Sequence, residues 1–333
     1  MAEDDIEASD TFLSTCLYFF IIVGALALIR RYFKGAQFTE KASAKNLVIV
    51  VTGANCGIGF ETVRELNLRK GKVYMLCRNE DRANEARRNL VKLGCHSFRL
   101  HIIECDLCNF ESIRNAAKEL LEAEDHIDIL INNAGIMFQN KFETTIDGHE
   151  KTWQSNHLGH FLLTELLLPA IKKSNSGRIV NVSSLLHTHS KRIDLSKVDD
   201  KKYFGSMSSY CQSKLANVMH ARALTHRLRK EGTHNVTVNS LHPGGVNTPL
   251  MRSSFFYLPV IKQITAPFRW FVLKTPRDGA QTSLYCALSK KVEGVSGKYF
   301  KECKLAAESP LATDDQACED LYNYSLEQTG LSK

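Results

Sequence analysis

The sequence has no block of lysines and arginines and no repeat of basic and aromatic residues, although its net charge is +7. That absence excludes nucleic acid as a partner, because a nucleic-acid footprint gathers its cations on one face or stripe. The ten cysteines follow no framework spacing. A chain of 333 residues needs no disulfide staples, so this cysteine usage reads as a reducing compartment. Cys105 and Cys108 form a CxxC without a second pair, and His187 and His189 lack partner cysteines, so neither completes a metal site. No internal repeat divides the chain. With 44% hydrophobic and 24% charged residues it has ordinary globular composition. The basic balance leaves two readings open: a solvated surface, or attraction to an anionic membrane or a phosphorylated cofactor.

Charge is also missing from residues 11–29, TFLSTCLYFFIIVGALALI. As a helix this stretch would extend ~28 Å, close to the hydrocarbon thickness of a bilayer. Glu3, Asp4, Asp5, Glu7 and Asp10 precede it, and Arg30, Arg31 and Lys34 follow. A cleaved signal peptide carries its positive charge in front and has a shorter apolar core. The order here predicts a retained transmembrane anchor with the following domain in the cytosol. The expected organisation is an acidic N-terminus (1–10), the anchor (11–29), a basic and polar linker (30–45), one domain (46–303) and a C-terminal tail (304–333). Asn181, Asn235 and Asn323 head formal glycosylation triplets. In a cytosolic domain they stay bare, and the first two fall in runs that read as buried strands.

From residue 47 the chain alternates. Continuous apolar runs at 47–51, 72–77, 100–105, 127–132, 178–183 and 235–240, with a weaker one at 297–300, are separated by segments of helical period. Those segments cover about 58–70, 80–93, 110–123, 147–173, 208–230 and 276–289. Strands alternating with helices, and apolar throughout, predict a parallel sheet covered on both faces. The expected fold is α/β: a Rossmann-type doubly wound sheet of about seven strands in a single domain, preceded by one transmembrane helix.

The first strand runs into TGANCGIG, residues 52–59. Gly53, Gly57 and Gly59 open a helix directly after a strand, the context of a dinucleotide site: a tight turn, close backbone approach and a pyrophosphate at a helix N-terminus. Asn55 and Ile58 belong to the same turn. The second strand ends in Cys77 and Arg78, where an NAD enzyme has a carboxylate for the ribose 2′-hydroxyl. A guanidinium there pairs with a 2′-phosphate, which points to NADP(H). Asp106 and Leu107 follow the third strand, and Asp106 suits the adenine amino group. Asn133, Ala134 and Gly135 sit at the end of the fourth, the edge where such sheets bind ligands. Tyr210 and Lys214 stand four apart, one turn from each other on one helix face.

TGxxxGxG, NNAG, VSS (182–184) and YxxxK occur in order along the chain. This combination resembles the short-chain dehydrogenase/reductase superfamily from about residue 45 to 303. SNHLGHFLLT, GRIVNVSS, YCQSKLAN, LHPGGVNT and SGKYF resemble its retinol dehydrogenase branch, as do the anchor and the long insert between Ser184 and Tyr210. By that resemblance Tyr210 is the general acid/base, with its phenol lowered by Lys214, which also bonds the nicotinamide ribose. Ser184 and Tyr210 contact the substrate oxygen, and Asn156 holds a water in a proton relay. Pro243 and Gly244 shape a sharp exit from the sixth strand, and Val246 and Thr248 reach the nicotinamide carboxamide.

Residues 255–273 carry Phe255, Phe256, Tyr257, Phe268, Trp270 and Phe271 where the family's substrate loop lies. An apolar lid suits a retinoid, a sterol or a lipid carbonyl, and with Lys262 and Arg269 in it the segment suits a membrane interface. The insert 185–209 reads as a polar excursion over the site. The first expectation is an NADP(H)-dependent oxidoreductase of the endoplasmic reticulum membrane acting on retinol and retinal. A sterol or lipid-aldehyde reductase is the alternative, and a non-catalytic, NADP-sensing membrane scaffold is the alternative of another class. A lipid-droplet or mitochondrial membrane also fits the anchor, and the resemblance allows homodimers through the helices at 147–173 and 208–230.

Overall fold

The computed structural model describes residues 2–248, 250, 263 and 265–332, with side chains from Thr15 on except Pro267. Phe255, Phe256, Tyr257 and Lys262 therefore lie outside the described residues. Helix α1 (Ala2–Lys34) is followed by β1 (Val48–Thr52), α2 (Gly57–Leu68), β2 (Lys72–Cys77), α3 (Glu80–Lys92), β3 (Leu100–Glu104), α4 (Phe110–Ala123) and β4 (Ile129–Asn132). A short turn α5 (Lys151–Trp153) leads through a π-helical turn (Gln154–Leu158) into α6 (Gly159–Lys172). Then come β5 (Gly177–Val182), α7 (Ser206–Lys230), β6 (Val236–His242), α8 (Ala266–Val272), α9 (Pro276–Leu288), β7 (Tyr299–Lys301), β8 (Lys304–Leu305) and α10 (Asp315–Gln328).

The strands form one sheet in the order β3-β2-β1-β4-β5-β6-β7-β8. All neighbours are parallel except β7 and β8. The doubly wound sheet expected from the alternation is present, with an eighth strand added by a hairpin whose two residues are too few to leave a pattern in the sequence. β1 is buried at every position because helices cover both faces. One face packs on α4, α6, α7 and α10 through Ile113, Phe161, Leu215 and Leu321. The other packs on α2, α3 and α9 through Val63, Ala83 and Leu284. Local chemistry fixes the helix starts. Asn79 accepts the Arg82 N–H, Asn109 accepts those of Glu111 and Ser112, and Thr275 with Asp278 closes a capping box behind Pro276.

Within α1, Thr15–Lys34 is long and apolar enough to cross a membrane, with mean hydropathy 1.8. Leu17, Phe19, Phe20 and Ile22 on it are exposed. The segment after it is irregular yet tied down: Phe38 is buried and its N–H donates to Gln281 Oε1 at 3.0 Å. Glu40 accepts the Ser289 hydroxyl at 2.7 Å. Asn181 is buried in β5, as expected, whereas Asn235 is exposed just before β6 and donates to the carbonyls of Lys172 and Ser174.

The stretch 304–333 is more than a tail. α10 starts at an Asp314 cap and buries Cys318, Leu321, Tyr322 and Ser325, one stripe at helical spacing. It covers α6 and α7: Tyr322 packs edge-on to Phe161 at 5.0 Å, Arg227 stacks on Tyr322 at 4.0 Å, and Ser325 Oγ lies 2.9 Å from His157 Nε2. This occupies part of the helix face through which homodimers were expected. Leu321→Ala should cost about 2–5 kcal/mol in urea unfolding, as truncation of a fully buried leucine does. A loss below 0.5 kcal/mol would show that α10 is not part of the cooperative core.

Candidate active site

The C-terminal ends of β1 to β6 open onto a cavity of about 630 Å³. Gly53 and Gly57 take positive φ (62° and 58°) in the turn from β1 to α2, a conformation that a side chain disfavours. No acidic residue stands in the first turn of α2. Its N-terminal amides, with the loop before it, suit a phosphate group. Asn55, Ile58 and Gly59 continue the wall, and Arg78, exposed at the end of β2, reaches its rim. Asp106 and Leu107 line the adjoining side, with Asp106 Oδ1 accepting the Cys108 N–H at 3.0 Å. Asn133, Ala134 and Gly135 form the floor, and Pro243, Gly244, Val246 and Thr248 the far wall. Every sequence-selected residue but Asn156 faces this one cavity.

The floor depends on Thr52, which the sequence reading left without a role. Its hydroxyl accepts the N–H groups of Asn133 (2.9 Å) and Ala134 (3.0 Å) and lies 2.9 Å from His160 Nε2. His160 Nδ1 faces the Asn156 carbonyl at 3.1 Å, so Nδ1 carries the proton and Nε2 accepts from Thr52. Burial lowers this imidazole to about 3, so it is neutral. Asn133 in turn donates to the Thr52 carbonyl at 2.9 Å, tying the end of β1 to the end of β4.

Asn156 stands behind the floor, in the π turn. Its Oδ1 accepts the Ile136 N–H at 2.8 Å, and its Nδ2 donates to the Ile136 carbonyl at 2.9 Å and to Ser213 Oγ at 3.0 Å. The side chain thus pairs with a passing backbone as a strand would. The expected single helix over 147–173 is interrupted here, and such turns recur at functional sites. Gly135 leaves room beside it: a Cβ there would lie 3.3 Å from Asn156 Oδ1 and 3.4 Å from Lys214 Nζ.

Tyr210 and Lys214 share one buried face of α7. Lys214 Nζ donates to the Val182 carbonyl at 2.9 Å and sits 5.7 Å from the Tyr210 ring centre. Burial pushes Tyr210 up to about 12, and a hydrogen bond with Ser184 acts against that rise. Burial also pulls Lys214 down to about 8. Desolvation therefore sets the Tyr210 value here, where lowering by Lys214 was expected. Ser184 caps a short turn at 185–189, accepting the Leu186 N–H at 3.2 Å. His187 Nδ1 donates to the Ser184 carbonyl at 2.7 Å and His187 Nε2 accepts the Ser309 N–H at 3.0 Å, so this histidine braces the serine turn. His242 Nδ1 accepts the Leu185 N–H at 3.1 Å on the same wall. No sequence pattern singles out these braces, because the bonds His242–Leu185 and His187–Ser309 join residues 57 and 122 positions apart.

A glycine turn, a small-residue floor and a buried tyrosine–lysine–serine wall meet at one sheet edge, an arrangement that suits a nicotinamide-dependent oxidoreductase. A family profile described as short chain dehydrogenase matches residues 47–255. The chain belongs to that family, whose members are NAD(P)-dependent oxidoreductases acting on CH–OH groups. It is 41% identical over 303 residues to retinol dehydrogenase 12 of Bos taurus, covering 91% of this chain and 92% of that one. A crystal structure of an uncharacterized protein from Mycobacterium paratuberculosis superposes with a TM-score of 0.70 at 27% identity, over 89% of this chain and 98% of that chain. A Shigella flexneri short chain dehydrogenase complexed with NADP shares the fold, with a TM-score of 0.59 at 22% identity, over 80% and 100% of the two chains.

The buried lysine has a measurable consequence. In the folded protein Lys214 releases its proton near pH 8, and in the unfolded chain near 10.5. Between those values the unfolded state binds more protons, so this group makes stability rise with pH, by at most ~1.4 kcal/mol per pH unit. Urea titrations at pH 8, 9 and 10 should show that rise in the wild type relative to Lys214→Met. Parallel curves for the two proteins would refute the shifted lysine.

Proposed function

We propose that this protein is a membrane-anchored, NADP(H)-dependent oxidoreductase that interconverts an apolar alcohol and its aldehyde or ketone, with retinol and retinal as the pair. The observation that carries the reading is the convergence of Ser184, Tyr210 and Lys214 on one cavity wall opposite the glycine turn. NADP(H), when bound, supplies or receives the hydride. Gly53, Asn55, Gly57, Ile58 and Gly59 would hold its pyrophosphate, Arg78 its 2′-phosphate, and Asp106 and Leu107 its adenine side. Asn133, Ala134 and Gly135 would take the ribose, and Pro243, Gly244, Val246 and Thr248 the nicotinamide end.

In reduction, the Tyr210 hydroxyl gives its proton to the substrate oxygen, and in oxidation it takes that proton back. The Ser184 hydroxyl donates to the same oxygen and holds the negative charge that develops there. Lys214, protonated below about pH 8, supplies positive charge beside the phenol and bonds the nicotinamide ribose. Asn156 keeps the Ile136 backbone in place and serves the proton relay to Lys214. Free Tyr210 lies far above neutral pH, so the positive charges of lysine and oxidised cofactor have a real shift to make.

Three features support an apolar substrate taken from a membrane. α8 exposes Phe268 and Trp270, the end of α1 packs on α8, and a similar protein is named a retinol dehydrogenase. The reading places the protein in the endoplasmic reticulum membrane by a single pass, with the catalytic domain in the cytosol.

Full-length protein with NADPH should reduce all-trans-retinal faster than a 3-ketosteroid or a medium-chain aldehyde. A preferred steroid would overturn the retinoid reading, and no turnover with any of the three would favour the scaffold. Tyr210→Phe should lower kcat by about 10²–10⁴-fold without loss of folding. Arg78→Asp should move cofactor preference from NADPH towards NADH by at least tenfold, and an unchanged ratio would remove the 2′-phosphate role.

A further inference from the structure

The exit of α1 reaches the far wall of the cavity through one ion pair. Glu302, in the β7–β8 turn, accepts the Ala36 N–H on Oε2 at 2.7 Å. Its Oε1 lies 2.6 Å from Lys274 Nζ. Lys274 is buried, so its charge is screened little by solvent. The same lysine grips the loop after β6 by its backbone. Its N–H donates to the Gly245 carbonyl at 2.8 Å, and its carbonyl accepts the Asn247 N–H at 3.0 Å. Its alkyl chain fills the space beside Gly244, where a Cβ would come within 2.6 Å of Lys274 Cδ. Gly244, Gly245 and Val246 line the cavity.

A second route runs in parallel. Arg30 stacks on Trp270 at 5.3 Å and Phe33 packs on Phe271 at 6.3 Å, which docks α1 on α8. Arg269, on the same turn of α8, donates to Asn247 Oδ1 at 2.6 Å. Both routes end on the loop 244–247. None of these contacts is needed for a tether, which requires only a connected chain.

We propose that Lys274 and Glu302 are positioning residues that make the exit of the N-terminal helix part of the cofactor wall, by holding the loop 243–248 in place. The inference rests on the reading of that loop as a cofactor contact. Neither residue touches the reacting atoms. Burial raises the Glu302 carboxyl, but Lys274 and the Ala36 amide outweigh it and hold it below the usual carboxylate range. At neutral pH Glu302 is therefore a carboxylate, set against Lys274 Nζ. Loss of one partner leaves a buried charge unmatched, while loss of both leaves a neutral gap. That difference separates a structural role from a positioning one.

The test uses the full-length protein in detergent micelles, with NADPH affinity read by fluorescence, kcat and KM by turnover, and stability by Tm. Glu302→Ala should weaken NADPH binding at least tenfold and lower Tm. The double variant Lys274→Met with Glu302→Ala should recover most of the Tm and leave the NADPH affinity weak. Recovery of both would overturn the proposal, because the pair would then matter only for stability. Ala36→Pro removes the amide donor, while fixing φ there and restricting Gly35, and should weaken NADPH binding about threefold; no change would overturn the link to the N-terminal helix. Thr248→Ala separates the two readings. If it weakens NADPH binding and the double variant matches the wild type, the clasp is wrong and the loop reading survives. If Thr248→Ala has no effect, the loop reading fails and the clasp falls with it.

Discussion

The Thr52 hydroxyl is the point on which the site depends. One oxygen accepts two backbone amides from the end of β4 and donates to a buried, neutral histidine. This fixes the distance between the glycine turn and the floor of the cavity. It also fixes the π turn, because the histidine grips the Asn156 carbonyl with its other nitrogen. A hydroxyl with both lone pairs and its proton engaged has no freedom left to rotate. Three elements far apart in the chain therefore meet in one arrangement.

Around that fixed frame the titratable groups are held at a cost. Tyr210 and Lys214 are taken out of water, and each is pushed towards its neutral form. Such groups weaken the fold that holds them, and perturbed groups of this kind gather at candidate functional sites. Ser184 is held just as firmly, with His187 on its carbonyl and its hydroxyl capping the turn that follows. The side chains with proposed chemical roles are thus supported by neighbours without one. This is why the cavity wall includes residues that no motif names.

The sequence was most readable where one short stretch holds all the information. Continuous apolar runs marked the parallel strands, since burial on both faces removes the polar alternation. The turn TGANCGIG was readable because its glycines must precede a helix, and Tyr210 with Lys214 because a helix puts every fourth residue on one face. Readability ended where partners are distant. The π turn exists because Asn156 bonds Ile136, 20 residues away, and periodicity carries no trace of that bond. Thr52, His160 and His187 act through hydrogen bonds of a kind that any core threonine or histidine makes. The missed helix α10 is a different case. Cys318, Leu321, Tyr322 and Ser325 do show helical spacing after an Asp314 cap, so the signal for this helix lies in the sequence itself.

The position of α10 after the rest of the domain bears on the order of synthesis. α1 leaves the ribosome before the domain, and α10 after its sheet. Phe161 and Arg227 wait for Tyr322 to cover them, so the core on that face of the sheet closes only once α10 has emerged. Until then the surfaces of α6 and α7 stay open beside a finished N-terminal helix. The commitment of α1 to its surroundings therefore precedes folding of the domain that follows. A chain stopped just before α10 would emerge with α1 complete and its core unsealed.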